Sequence, residues 1–189
     1  MQNSNYLLLT YPDFLNYVLK LCLEIRKNNR IQPIDYIISV QRGGAVMSKI
    51  ISDIFDIPIR CLTVKGYKKK IRSTDTKLTE PLSQNIKGKT VIVLDEISDT
   101  GKTLAFVKKY IKGKSPKNII FATIFIKPWT TFVPDIYIKK TNKWIVFPYE
   151  LKEMYDLVQD EDKLSMEKMY IKYMLENGVT KNTLKKLFE

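Results

Sequence analysis

Residues 95–103 read Asp-Glu-Ile-Ser-Asp-Thr-Gly-Lys-Thr and follow the apolar run Val91-Ile92-Val93-Leu94. Three carboxylates, three hydroxyls and one glycine at the tip of a hydrophobic strand are an expensive way to build a turn, because the acids repel one another. The arrangement suits a phosphorylated sugar. Gly101 lets the backbone approach a ligand closely. The helix expected after it offers first-turn N–H groups and the positive end of its dipole, with Ser98, Thr100 and Thr103 as hydroxyl donors, a combination that binds a phosphate monoester. Asp95 and Glu96, just upstream, can accept hydrogen bonds from a pair of sugar hydroxyls or hold Mg²⁺. Phosphate cradle and diol-binding acids together describe a ribose 5-phosphate site.

Other chemistries are excluded by what is missing. The chain has no histidine and two cysteines, Cys22 and Cys61, which are not in a C-x-x-C pair. Ser–His and Cys–His nucleophilic pairs are therefore impossible, and a His/Cys zinc site is not expected. Gly101-Lys102-Thr103 resembles the end of a phosphate-binding P-loop, but Glu96 stands where that motif requires its first glycine. The net charge of +12 favours an anionic ligand, whether a polyphosphorylated small molecule or nucleic acid.

These residues must be held by a scaffold, and the 189-residue chain is long enough for a full core. Apolar, β-branched runs at 35–40, 57–64, 90–95 and 118–126 read as strands, with a shorter one near 143–147. Helical periodicity appears after Thr10, where Phe14, Tyr17, Val18, Leu21 and Ile25 share a face, again over 45–55, and after Gly101. Strands that are apolar throughout, alternating with helices, indicate an α/β fold with a parallel sheet flanked by helices. Ligands of such sheets bind beyond the C-terminal strand ends. The segments 41–44, 96–103 and 127–131 are expected to line one crevice there. Residues 65–89 read as a basic excursion with at most a weak strand pair. No run is long enough to span a membrane, no secretory leader is expected, and the location expected is cytoplasmic.

On these residues the chain resembles the type I phosphoribosyltransferases. Their signature is an apolar strand, two acids, two small or apolar residues, Asp-Thr-Gly and a closing Thr; here Glu96 replaces the usual second Asp. The resemblance implies the type I phosphoribosyltransferase fold with a small hood. It also implies 5-phosphoribosyl 1-diphosphate as donor and Mg²⁺ as cofactor, the metal held by Glu96 and Asp95 largely through the substrate. Asp95, Glu96, Ser98, Asp99, Thr100, Gly101, Lys102 and Thr103 would bind the phosphoribosyl group. Asp99 would be the general base. Arg42, Gly43 and Gly44 would face pyrophosphate, often with a strained or cis peptide before or at the arginine. The basic excursion corresponds to a mobile loop, with Lys68, Lys69, Lys70 and Arg72 as candidate pyrophosphate contacts, Lys69 and Arg72 foremost.

Residues 125–150 are similar to the base-recognition region of xanthine–guanine phosphoribosyltransferases and their archaeal purine relatives. The shared features are Lys127-Pro128, Pro134-Asp135-Ile136-Tyr137, and Trp144-Ile145 ahead of Phe147-Pro148-Tyr149-Glu150. The resemblance makes Lys127 a donor to the purine's exocyclic oxygen, Trp144 a stacking platform and Ile145 a backbone reader of the base edge. The activity implied is transfer of phosphoribosyl to N9 of a 6-oxopurine such as guanine, hypoxanthine or xanthine. Two alternatives stand beside it: adenine as acceptor on the same scaffold, and a donor-sensing regulator that binds nucleic acid. Against the regulator, no helix-turn-helix precedes residue 35, so nucleic acid is not expected as a partner. A homodimer or homotetramer is expected. Residues 1–150 are expected to form the catalytic domain, with its hood at about 127–150, and residues 151–189 a C-terminal helical extension.

Overall fold

A computed structural model describes residues 5–28, 33–66 and 76–150, and in the tail residues 174–176, 178–180, 182, 183 and 186. In chain order the elements are β1 (Tyr6–Leu8), α1 (Tyr11–Lys27), β2 (Tyr36–Gln41), α2 (Ala45–Phe55), β3 (Ile59–Gly66), β4 (Thr76–Glu80), β5 (Thr90–Ser98), α3 (Lys102–Lys112), β6 (Asn118–Ile126), β7 (Ile136–Lys140) and β8 (Trp144–Val146). The chain divides into two compact units. One comprises residues 1–14 and 143–189, the other residues 15–142.

The larger unit is built on a six-stranded sheet in the order β4-β3-β2-β5-β6-β7. All pairings are parallel except β3 with β4. The strands at the centre are buried on both faces, which is why stretches such as Val91–Leu94 are apolar without alternation. Ile38, Val40, Val91 and Val93 pack with Leu104, Val107 and Ile111 of α3. By the alternation of the pleat, Ile37, Ile92 and Leu94 point the other way and are equally buried. Each such side chain contributes about 1.5–3 kcal/mol by leaving water. Asp35 fastens the start of the central β2–β5 pair. Its N–H donates to the Thr90 carbonyl at 2.8 Å, and its carboxylate accepts from the Thr90 N–H at 2.8 Å and from Lys89 Nζ at 3.0 Å.

In the smaller unit β1 and β8 form a parallel pair. Phe14 packs edge-on against Phe147 and Tyr149, which stack on each other. Thr10 and Asp13 close α1 as a reciprocal cap. The Asp13 N–H donates to Thr10 Oγ1 at 3.2 Å and the Thr10 N–H to Asp13 Oδ2 at 3.1 Å. In the tail, residues 174–176 are helical and end in a turn at Gly178 (φ 87°), where the Val179 N–H reaches the Met174 carbonyl.

Three features differ from the reading of the sequence. β5 runs three residues past Asp95, so Glu96 and Ser98 belong to the strand and only 99–101 form the turn. The short strand near 143–147 joins β1 instead of the main sheet, whose edge is taken by β7. The suspected weak pairing in 65–89 is β4 against the end of β3.

Candidate active site

Parallel pairing of β2, β5 and β6 brings their C-terminal ends to one side of the sheet. Gln41–Gly44, Glu96–Thr103 and Lys127–Phe132 all lie at that end. Two glycines lie where these segments meet. A Cβ on Gly43 would fall inside the Glu96 carboxylate. Gly101, at φ 84°, caps α3, and a Cβ there would lie 2.5 Å from the Phe132 nitrogen and 2.9 Å from Thr130 Oγ1. The Gln41–Arg42 peptide is cis, in keeping with the form expected before the arginine.

The turn at 99–101 is tied to the segment after β6 by hydrogen bonds. Ser98 Oγ donates to the Phe132 carbonyl at 2.7 Å and lies 2.9 Å from Thr130 Oγ1. Thr131 donates to the Thr100 carbonyl through its N–H at 3.1 Å and its hydroxyl at 2.9 Å. The Lys127 N–H bonds the Ser98 carbonyl at 3.0 Å. Ser98 is buried and its hydroxyl is directed to this latch, which departs from its expected use as a phosphate donor. Asp99, Thr100 and Lys102 are exposed and Thr103 is half-buried. No side chain caps α3 at Gly101, and Thr100 Oγ1 lies 3.4 Å from the Lys102 nitrogen.

Charge is distributed unevenly across this end of the sheet. Asp95 is buried, and loss of water pushes its carboxyl up to about 6, against the pull of hydrogen bonds with the side chain and backbone of Glu96. Its Oδ1 accepts the Glu96 N–H at 3.1 Å. Lys127 is 5% exposed, and burial holds its ammonium below the usual lysine value, the negative charge of Asp99 partly restoring it. Trp129, which the reading of the sequence left without a role, donates its indole N–H to Asp99 Oδ1 at 3.0 Å and lies under Lys127 Nζ, 5.4 Å from the ring centre. A tryptophan two residues beyond a strand-end lysine was the available signal.

Comparison with known proteins settles the kinship. The family model of the phosphoribosyl transferase domain matches residues 8–154. The chain belongs to the phosphoribosyltransferase family. Its fold superposes on a purine phosphoribosyltransferase from Pyrococcus horikoshii with a TM-score of 0.70 and 36% identity, covering 78% of this chain and 95% of that one. It is 28% identical over 118 residues to the xanthine-guanine phosphoribosyltransferase of Idiomarina loihiensis, spanning 61% of this chain and 70% of that protein. The Helicobacter pylori xanthine-guanine-hypoxanthine phosphoribosyltransferase, at 24% identity and a TM-score of 0.66, shares the fold. Within the family the chain is a purine phosphoribosyltransferase, a pentosyltransferase, and the α/β sheet flanked by helices is the type I fold that the motif implied.

Lys69 and Arg72 lie outside the described residues, as do Lys68 and Lys70. Trp144 and Ile145 belong to the smaller unit. There Ile145 is buried opposite Leu7, and the half-exposed Trp144 donates its backbone N–H to the Asn5 carbonyl at 2.7 Å.

Proposed function

We propose that this phosphoribosyltransferase moves the 5-phosphoribosyl group of 5-phosphoribosyl 1-diphosphate to N9 of a 6-oxopurine, releasing pyrophosphate. The observation that carries the choice of acceptor is the buried ammonium of Lys127 on the same side of the sheet as Asp99. An ammonium favours a carbonyl oxygen over an amine, because it has three N–H donors and no acceptor. Guanine, hypoxanthine and xanthine present that oxygen; adenine presents an amine.

In this reading the turn 99–101, the start of α3 and Thr103 hold the 5-phosphate, with Ser98 fixing the turn from beneath. Asp95 and Glu96 accept the ribose hydroxyls. Arg42 and the 43–44 backbone face pyrophosphate, helped by basic residues such as Lys69 and Arg72. Trp144 stacks on the base, a contact worth about 1–3 kcal/mol by analogy with base–aromatic stacking, and Ile145 reads its edge.

Magnesium fits this donor set in one way. Among the described residues no cluster of three or more potential ligands exists, so Asp95 and Glu96 would share the ion with oxygens of the donor, where it offsets charge on pyrophosphate. The chain's own part in the reaction is to align and deprotonate. The bond from the anomeric carbon to the pyrophosphate oxygen breaks, the bond to N9 forms, and the proton on N7 passes to Asp99. We take residues 1–150 as the catalytic part, a cytoplasmic setting, and assembly into homodimers or tetramers as parts of the same proposal. Among the described residues no helix is long and apolar enough to cross a membrane.

A panel of guanine, hypoxanthine, xanthine and adenine, scored by pyrophosphate release, is the test. Turnover restricted to the oxopurines, with a higher KM in Lys127→Ala, is expected. Preference for adenine would overturn the acceptor assignment. Salt-sensitive RNA or DNA binding without pyrophosphate release would point to a regulator instead. Asp99→Asn should cut kcat about a hundredfold or more while donor affinity holds.

A further inference from the structure

Trp129 is exposed at 54%, yet two of its contacts are to groups assigned roles in the reaction. Its indole N–H occupies Asp99 Oδ1, and its ring carries the Lys127 ammonium. A tryptophan kept at the surface for packing alone would not need its one polar atom directed at a carboxylate 30 positions earlier in the chain. The neighbours of Trp129 explain why it can hold this position. Thr130 and Thr131 are bonded to the Ser98–Thr100 stretch, so the backbone under the indole is fixed to the backbone under the carboxylate.

Resting on the function proposed above, we propose that Trp129 is a positioning residue that sets the geometry of both Asp99 and Lys127 toward the purine. With Oδ1 held by the indole, Oδ2 is the oxygen left to take the N7 proton, and rotation of the carboxylate is restrained. The ring face beneath the ammonium limits the directions in which Lys127 can point. The two functions reside in different parts of one side chain and can be separated. Trp129→Phe keeps an aromatic face and loses the donor; Trp129→Leu loses both.

The test measures kcat and base KM in the parent and both variants, with melting temperature as a control for folding. Trp129→Phe should lower kcat about tenfold, a part of the 10²–10⁴-fold contribution of a general base, with base KM within about twofold. Trp129→Leu should show the same loss of kcat and a base KM higher by about two- to fivefold, the scale of a weak cation–aromatic contact. A second readout needs no turnover. In Trp144→Phe, Trp129 is the sole tryptophan, since the chain has two, and adding Asp99→Ala should shift its emission maximum in the ligand-free protein. Parental kcat in an active Trp129→Phe enzyme, or emission indifferent to Asp99→Ala, overturns the proposal. A parent protein that turns over no purine, with the emission shift intact, would instead overturn the assigned reaction and leave the Trp129–Asp99 pairing supported.

Discussion

The carboxylate of Glu96 fills the space in which a side chain at Gly43 would lie. The proposed pyrophosphate loop and the proposed ribose-binding acid are thus in direct contact, across neighbouring strands. The obstruction is the far end of a flexible side chain, so Gly43→Ala should fold, with Glu96 swung aside. Donor KM should rise about ten- to a hundredfold, the scale of one lost charge-assisted hydrogen bond at about 1.5–3 kcal/mol. Melting temperature should change little. Steady-state kinetics against the donor, with thermal unfolding alongside, check this; unchanged donor KM would separate the two loops functionally.

Gly101 presents the opposite case. Its φ of 84° and the backbone nitrogen of Phe132 leave no flexible group to give way. Gly101→Ala should destabilise the fold by about 1–3 kcal/mol from backbone strain alone, before the displacement of Thr130 and Phe132 is added. At about 2–4 °C per kcal/mol for a chain of this size, calorimetry should find a loss of several degrees. A melting temperature equal to the parent's would show that the latch between the turn and residues 130–132 is dispensable.

The contrast between these glycines marks how far the sequence could be read. The acidic motif, the strands that carry it and the start of α1 at Thr10 were legible because local chemistry fixes them: an apolar run, a capping hydroxyl, a glycine before a helix. β7 was not, because Ile136–Lys140 is short and half polar, as an edge strand with one covered face is. The membership of β8 was not, because a three-residue strand takes its partner from tertiary packing. The inward use of the Ser98 hydroxyl depends on Phe132, 34 positions away, and no local pattern carries that information. Trp129 was visible as a residue type but had no evident purpose until Asp99 appeared beside it.

Lys127 should make base binding unusually sensitive to alkali. Burial lowers the value at which its ammonium loses a proton from the ordinary 10.5. The charged form exists below that value, so lowering it moves the loss of oxopurine affinity to lower pH. Hypoxanthine KM should therefore begin to climb at a lower pH than the titration of an ordinary lysine would give. In Lys127→Arg, whose guanidinium stays charged, the climb should be absent apart from the base's own titration, which both proteins share. The difference between the two pH profiles isolates the lysine; parallel profiles would remove it from oxygen recognition.

Asp35 supplies a test of the scaffold that is independent of catalysis. Its carboxyl is held below the ordinary 3.8, first by the backbone N–H of Thr90 and then by Lys89. Because the folded state lowers the value, the stabilisation is complete above the unfolded value and disappears as pH falls through the folded one. Asp35→Asn keeps an oxygen for Thr90 but cannot titrate. It should melt below the parent at pH 7, and the gap should close as the solution is acidified below about pH 4. Lys89→Ala should have the smaller effect, since that partner is the weaker cause and its ammonium is exposed. Melting curves of the three proteins across acid pH decide the order. A gap that persisted in strong acid would mean that Asp35 acts through its shape alone, and that the β2–β5 start is held by the ladder without help from its charge.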